Sequence, residues 1–386
     1  MVSQQESDMQ YMLQALNLAE KGRYSTLPNP CVGCVLTKDG VVIGSGYHKK
    51  AGTGHAEVNA LADARNRNQD TAGATAYVTL EPCSHFGLTP PCAVALVKAG
   101  IKRVVCAMTD PNPLVSGKGF EILRNAGIEV IVGICESQAR NINVPFLYAM
   151  EHEIPYVTQK MGISLDGKIA LANGESKWIT SPESRSDVQA LRAENQAIMT
   201  TADTVKADNP SMNVRYTELP DSVKETVTEE LVNTPVKIII DKHEILTRDE
   251  KIFSSSGQVM LVYPSTDGKI EEKVISEKLT ILRIPLVSDT EHQNDNIDIE
   301  CLLKYLHTRK IRNILVESGP KFCRYMMDSN LINKLVLYVA PKLMGDDAIS
   351  FCKCTGFRSM DEIRSFRLAK CTQIGDDIKL EYIIKE

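Results

Sequence analysis

Residues 55–92 read HAEVNALADARNRNQDTAGATAYVTLEPCSHFGLTPPC. The stretch predicts a helix over His55–Arg65, a short strand over Ala76–Leu80 and a helix over Cys92–Ala99. The alternation continues on both sides. Upstream, Met9, Met12, Leu13 and Leu16 recur at i, i+3, i+4 and i+7, behind a capping box of Ser7 and Gln10. That helix should stop near Gly22, and strands Val32–Thr37 and Val41–Gly46 should follow around the turn Lys38-Asp39-Gly40. Downstream come a strand over Arg103–Met108, a helix over Gly119–Ala126 and a strand over Glu129–Val132. Helices alternating with strands predict a layered α/β domain over residues 1–150.

The chain has 386 residues, too many for one ordinary core, and at roughly 100–200 residues per domain two are expected. Residues 151–386 form the second. Strands are predicted at Pro155–Met161, Ala197–Thr200, Val236–Ile240, Val259–Val262, Asn313–Val316 and Leu335–Val339. Helices are predicted at Pro182–Glu194, Ile299–Arg309 and Lys321–Ser329, with insertions or exposed loops at Thr217–Thr234 and Ser288–Asn296.

Composition excludes several function classes. Hydrophobic and charged shares of 43% and 24% are those of an average globular chain, so disorder, collagen and coiled coil are excluded. No apolar run approaches ~18 residues, and MVSQQESDMQ carries no basic-then-apolar signal, so no membrane partner and a cytoplasmic location are expected. The first 150 residues hold 13 basic and 12 acidic side chains and the remainder 31 and 37. Balances of +1 and −6, with one Trp, 8 Phe and 12 Tyr, argue against a nucleic-acid partner. Eleven cysteines without an export signal read as reduced thiols or metal ligands.

The chemistry concentrates in three short motifs. His55-Ala56-Glu57 opens a predicted helix, Glu81-Pro82-Cys83 follows a predicted strand, and Pro90-Pro91-Cys92 starts the next helix. One imidazole and two thiolates suit a tetrahedral zinc ion that keeps a fourth position for water, and such a metal lowers the pKa of that water to about 7. Glu57, two residues from His55, is placed to shuttle protons without being a ligand, the logic of zinc nucleobase deaminases. Those enzymes space their cysteines Cys-x-x-Cys, whereas eight residues separate Cys83 from Cys92. Cys31 and Cys34 do have that spacing, but in a predicted strand positions i and i+3 face opposite sides and cannot share an ion. The second half has no Gly-x-Gly-x-x-Gly after a strand, so a Rossmann cofactor site finds no support.

Pro28-Asn29-Pro30-Cys31-Val32-Gly33, Gly44-Ser45-Gly46-Tyr47-His48, His55-Ala56-Glu57 and Glu81-Pro82-Cys83-Ser84-His85 with Thr89-Pro90-Pro91-Cys92 resemble the bacterial bifunctional riboflavin-biosynthesis deaminase/reductase family. So do Gly162-Ile163-Ser164-Leu165-Asp166-Gly167-Lys168, Trp178-Ile179-Thr180, Asp208-Asn209-Pro210 and Val316-Glu317-Ser318-Gly319-Pro320. The resemblance implies a cytidine-deaminase-like three-layer domain followed by a dihydrofolate-reductase-like domain. It implies zinc on His55, Cys83 and Cys92, with Glu57 as the catalytic proton carrier. Asn29 and His48 would line a pyrimidine pocket covered by the Ser84-His85 loop. Family members carry Lys or Arg where this chain has Leu88, which leaves Lys49 or Lys50 to meet the substrate phosphate.

For the second half the resemblance implies NADPH, contacted by Gly162, Trp178, Thr204, Asp208, Gly319, Pro320 and Lys321. Substrate would meet Lys160, Ser176, Arg192, Met212, Arg215 and Glu317, with Arg192 and Arg215 as planar forks for phosphate. The implied reactions are deamination of 2,5-diamino-6-(5-phosphoribosylamino)pyrimidin-4-one, then hydride reduction of its ribosyl group to a ribityl chain. A small-molecule pyrimidine ribotide is the expected partner and a homo-oligomer the expected assembly. Two other readings fit the motifs alone: a nucleic-acid (tRNA) deaminase with an accessory half, and a scaffold whose zinc is closed by a fourth ligand such as His85.

Overall fold

A computed structural model describes residues 3–84, 91–112, 115–289, 294–352 and 358–384. The chain divides into two compact units. The first is Met1–Glu153 with Lys224–Asn233, and the second is Ile154–Val223 with Thr234–Glu386.

The first unit contains, in order, α1 (Gln4–Glu20), β1 (Gly33–Lys38), β2 (Val41–Tyr47), α2 (Ala56–Asn66), β3 (Thr75–Val78), α3 (Cys92–Lys98), β4 (Arg103–Cys106), α4 (Lys118–Asn125), β5 (Glu129–Val132), α5 (Glu136–Ile142) and α6 (Val144–His152). Its sheet runs β2-β1-β3-β4-β5. β1 pairs antiparallel with β2 and β3, whereas β3, β4 and β5 are parallel. Two buried clusters occupy the sheet's faces. Ala56, Ala60, Ala64, Leu96 and Leu123 belong to one, and Met12, Leu16, Leu80 and Leu147 to the other. Gly44 and Gly46 explain their motif here. A Cβ on either would lie 2.5 Å from backbone atoms of Ala60, so only glycine lets α2 seat its alanine face directly on β2.

The second unit continues with β6 (Tyr156–Ser164), β7 (Lys168–Ala170), α7 (Pro182–Ala193), β8 (Ala197–Thr201), α8 (Ala202–Asp208), α9 (Asp221–Lys224), β9 (Val236–Ile240), α10 (Lys251–Ser254), β10 (Val259–Pro264), β11 (Glu271–Ser276) and β12 (Leu279–Ile284). Then come β13 (Leu286–Asp289), β14 (Asn294–Ile297), α11 (Ile299–Thr308), β15 (Asn313–Val316), α12 (Pro320–Asp328), β16 (Lys334–Ala340), β17 (Ile349–Ser350), β18 (Phe366–Ile374) and β19 (Asp377–Ile384). The main sheet has the order β11-β12-β10-β9-β8-β15-β6-β16-β19-β18. The strands from β12 to β16 are parallel, and β11, β19 and β18 run against their neighbours. Val236–Ile240 and Asn313–Val316 are apolar except for Lys237 and Asn313, because parallel strands are covered on both faces. Lys237, fully buried in β9, is held by donating from Nζ to Ile252 O at 2.6 Å, Ser255 O at 3.2 Å and Ser255 Oγ at 2.8 Å. It thereby satisfies carbonyls at the end of α10 that the helix leaves without donors.

Several expectations need correction. The capping box on α1 is Ser3 with Glu6, not Ser7 with Gln10, so the helix starts one turn earlier. Cys31 precedes β1 instead of lying in it. Thr217–Thr234 is not an exposed loop: Leu219, Val223 and Val227 are buried, α9 forms within it, and Asn233 N–H donates to Tyr24 O at 2.8 Å inside the first unit. Part of Ser288–Asn296 pairs as β13 with β14. The α5–α6 helices and the β18–β19 hairpin were not anticipated.

Candidate functional site

In the first unit the sheet delivers three chain segments to one point. His55 is the residue before α2, Cys92 is the first residue of α3, and Cys83 lies in the irregular segment that follows β3. His55 Nδ1 lies 3.5 Å from Cys83 Sγ and 3.3 Å from Cys92 Sγ, and the three ligand atoms all fall within 4.8 Å of one another. An ion with bonds of about 2.3 Å to sulfur and about 2.0 Å to nitrogen, at tetrahedral angles, sets ligand atoms roughly 3.6 Å apart. The donor set therefore fits zinc in both chemistry and spacing. The Cys92 thiol, then His55 and the Cys92 N–H, approach Cys83 Sγ and draw the Cys83 thiol well below its usual value, which favours the thiolate a metal needs.

Glu57 is in the first turn of α2 and only 3% exposed. Burial, followed by the charge of Cys83, pushes its carboxyl up to about 7. A carboxyl poised near neutrality suits a group that takes up and returns one proton per turnover.

Asn29 and His48 stand together beside this trio. His48 Nδ1 donates to Gly54 O at 3.2 Å, so Nε2 accepts from Asn29 Nδ2 at 3.1 Å. Burial lowers the His48 pKa and keeps the ring neutral, and its edge meets the His55 ring at a centroid distance of 5.2 Å. Two asparagines unnoticed in the sequence support the pair. Asn59 Nδ2 donates to Tyr47 O and Gly54 O, at 2.8 and 3.0 Å. Buried Asn143, 112 residues along the chain, grips Cys31 through both backbone groups, with N–H···Oδ1 at 2.8 Å and Nδ2–H···O at 2.9 Å. Nothing local marks Asn143, because it acts on backbone distant in sequence. Lys49 sits over the Tyr47 ring and Lys50 Nζ donates to Glu230 O. His85, Leu88, Thr89 and Pro90 lie outside the described residues.

In the second unit, register places the charges. β15 ends where Val316 pairs with Gln159 of β6, so Glu317 emerges beside Lys160 near the carboxyl ends of parallel strands, where ligands bind in open α/β sheets. Arg192, in the last turn of α7, donates from Nε to Glu317 Oε1 at 2.6 Å and from Nη2 to Oε2 at 3.1 Å. Lys160 Nζ is 3.8 Å from Oε2. Burial would raise the Glu317 carboxyl, but the charges of Arg192 and then Lys160 outweigh it and hold it at about 2. Arg192 also reaches Asn213 O at 3.2 Å and Met212 Sδ at 3.9 Å. Arg215 is bound through Nε to Glu218 Oε1 at 2.6 Å. Arg192 has its fork engaged by Glu317, as Arg215 is engaged by Glu218.

The expected cofactor residues are partly joined. Gly319 N–H donates to Thr204 Oγ1 at 3.2 Å, which joins α8 to the start of α12. Ser318 Oγ is buried and has no hydrogen-bond partner among the described residues. Pro320 and Lys321 open α12, whose first-turn N–H groups lack intrahelical acceptors. An orphaned hydroxyl beside a helix start fits an incoming phosphate. Gly162 faces Thr180, and a Cβ there would meet Thr180 Cγ2 at 3.3 Å. Trp178 is exposed, with the Arg185 guanidinium 4.5 Å over its ring and its carbonyl accepting from Lys342 Nζ. Ser176 is half-buried and Asp208 exposed, and neither joins the charged cluster.

Comparison with known proteins bears on both units. Residues 155–380 match the family described as the RibD C-terminal domain, and residues 5–108 match the cytidine and deoxycytidylate deaminase zinc-binding region. The chain is 42% identical to riboflavin biosynthesis protein RibD of Haemophilus influenzae over 98% of both chains. The chain belongs to the riboflavin biosynthesis protein RibD family. Its RibD relative in Escherichia coli is 41% identical over 97% of this chain and 99% of that protein. A solved RibD structure from Acinetobacter baumannii superposes with a TM-score of 0.87 at 41% identity, covering 99% of this chain and 100% of that one. The Thermotoga maritima diaminohydroxyphosphoribosylaminopyrimidine deaminase/5-amino-6-(5-phosphoribosylamino)uracil reductase superposes at 0.82 with 30% identity, covering 99% and 100%. Membership makes the chain a bifunctional deaminase and reductase of riboflavin biosynthesis, with a cytidine-deaminase-like and a dihydrofolate-reductase-like domain. No described helix is long and apolar enough to cross a membrane.

Proposed function

We propose that residues 1–150 carry the deaminase and residues 151–386 the reductase. The substrate is 2,5-diamino-6-(5-phosphoribosylamino)pyrimidin-4-one, whose deaminated product is then reduced to 5-amino-6-(5-phosphoribitylamino)uracil. The convergence of His55, Cys83 and Cys92, with buried Glu57 two residues from His55, is the single observation that carries the first half.

Zinc held by those three residues supplies Lewis acidity and water of lowered pKa when bound. Glu57 accepts the proton that leaves water and returns it to the departing ammonia. With Asn29 Nδ2 committed to His48, Asn29 Oδ1 remains to accept an N–H of the pyrimidine and fix its orientation. Burial around Glu57 and His48 keeps competing water from both.

In the second half NADPH supplies the hydride. Ser318, Gly319 and the start of α12 hold its phosphate, and Thr204, Gly162, Trp178 and Asp208 border it. Glu317, ionised between Lys160 and Arg192, keeps both cations aimed at the ribose end of the substrate. With Arg192 spent on Glu317, Arg215 takes the substrate phosphate, releasing Glu218 to do so. Met212 and Ser176 complete the substrate contacts. None of the ten described cysteines is in a disulfide, in keeping with a cytoplasmic location, and the assembly is a homo-oligomer.

A coupled assay on purified protein with zinc and NADPH tests the reading by following ammonia release and NADPH oxidation separately. Ammonia release without NADPH, and oxidation only after it, is expected. Deamination of an RNA substrate in preference to the free ribotide would contradict it.

A further inference from the structure

Glu81 precedes the zinc ligand Cys83 by two residues, yet it touches neither that ligand set nor Glu57. Its carboxylate is 4% exposed and has no cationic partner among the described residues. It is instead filled by backbone. Oε2 accepts Asp110 N–H at 3.2 Å and Gly117 N–H at 3.0 Å, and Oε1 accepts Gly119 N–H at 2.9 Å. Its own N–H donates to Met108 O at 3.1 Å. Gly117 is the residue before α4 and Gly119 is in its first turn, so the buried carboxyl group of Glu81 accepts at the positive end of α4 and also holds the Asp110 N–H.

The fit is close on the other side as well. A Cβ on Gly119 would lie 2.0 Å from Pro82 O, inside any allowed contact, so α4 rests directly on the backbone of the residue between Glu81 and Cys83. Beyond it, Cys83 is held from the opposite direction by Cys92 N–H to Sγ at 3.2 Å and Ala93 N–H to Cys83 O at 3.3 Å. Cys83 is thus bracketed, by Glu81 and α4 upstream and by the start of α3 downstream.

We infer that Glu81 is a positioning residue of the deaminase: through its bonds to the backbone N–H groups of Asp110, Gly117 and Gly119 it sets where the Cys83 thiolate stands, and so governs metal affinity and geometry. The inference rests on the zinc reading above. Groups hydrogen-bonded behind metal ligands change affinity about 10–100-fold when altered, and here the lever is a backbone clamp. An amide in place of the carboxylate turns an N–H donor toward one or two of the three backbone N–H groups, whichever way it is flipped.

The test uses the full chain and three measurements on Glu81→Gln and Gly119→Ala. These are zinc affinity by chelator competition, the visible spectrum of the cobalt(II)-substituted protein, and kcat and KM for each half-reaction. For Glu81→Gln the expected result is a 10–100-fold loss of zinc affinity, a shifted cobalt band and a lower deaminase kcat, with reduction of the deaminated intermediate at the wild-type rate. Gly119→Ala keeps the charge but drives a methyl into Pro82 O, and alanine is the better helix former. It should give the same cobalt shift, and it carries the test if Glu81→Gln does not fold. Wild-type zinc affinity and an unchanged cobalt spectrum in the folded variants would overturn the inference, as would equal losses in both half-reactions. A wild-type protein that held no zinc would overturn the zinc reading itself, a separate outcome.

Discussion

The Arg192 guanidinium grips both oxygens of the Glu317 carboxylate, at 2.6 and 3.1 Å, across 125 residues of chain. Both side chains are about one-tenth exposed, so neither charge has bulk water to fall back on. Removing one partner leaves the other buried with its charge poorly matched, Glu317 keeping only the more distant Lys160 at 3.8 Å and Arg192 facing Lys160, at a cost of about 3–5 kcal/mol. Glu317→Ala and Arg192→Ala should each lower stability by that order in denaturant titration and abolish NADPH oxidation. Ammonia release should persist wherever the first unit remains folded.

The same pair sets an acid limit. The Glu317 carboxyl is held at about 2, below its usual 4.5. A depressed carboxyl contributes stability that is complete above 4.5 and drains away as pH falls from there toward 2. Thermal melts between pH 6 and pH 3 should show the wild type losing this increment. Glu317→Gln, already without it, should show a shallower decline.

Asn143 makes two hydrogen bonds to the backbone of Cys31, close to Asn29. Asn143→Ala removes both, at a cost of about 2–4 kcal/mol in all. The deaminase KM should rise by roughly tenfold, since about 1.4 kcal/mol of lost orientation suffices for that. Bound zinc should not change. A variant that lost zinc instead would place Asn143 in support of the metal, not of the pyrimidine pocket.

Cys83→Ser and Cys92→Ser replace a soft thiolate by a hydroxyl that binds zinc poorly at neutral pH. Metal analysis should find less than half a zinc per chain in either variant after dialysis, and reductase activity at the wild-type level. Full occupancy in both would remove them from the ligand set.

The metal trio was legible because zinc chemistry restricts residue types, so His55, Cys83 and Cys92 stand out whatever lies between them. The apolar runs were legible for a similar reason: Val236–Ile240 and Glu129–Val132 appear within the bounds their periodicity set. Contacts between distant backbone were not. Glu81 with Gly119, Asn143 with Cys31 and Lys237 with the end of α10 each join a side chain to a main-chain group whose identity leaves no trace in the sequence. The α1 cap was misjudged because Ser3-Gln4-Gln5-Glu6 and Ser7 with Gln10 offer the same pattern one turn apart, and only the reciprocal bonds of Ser3 and Glu6 decide it. The burial of Val223 and Val227 is hidden by the polar composition of the segment from 217 to 234.

The account depends most on Glu57 carrying the proton in one unit while hydride chemistry proceeds in the other. Purified Glu57→Gln should therefore be assayed for zinc content, for ammonia release from the diaminopyrimidine ribotide, and for NADPH oxidation on the deaminated intermediate. The expected result is wild-type zinc, ammonia release lowered at least a thousandfold, about 4 kcal/mol of barrier, and undiminished NADPH oxidation. Ammonia release near the wild-type rate from that variant would contradict the account.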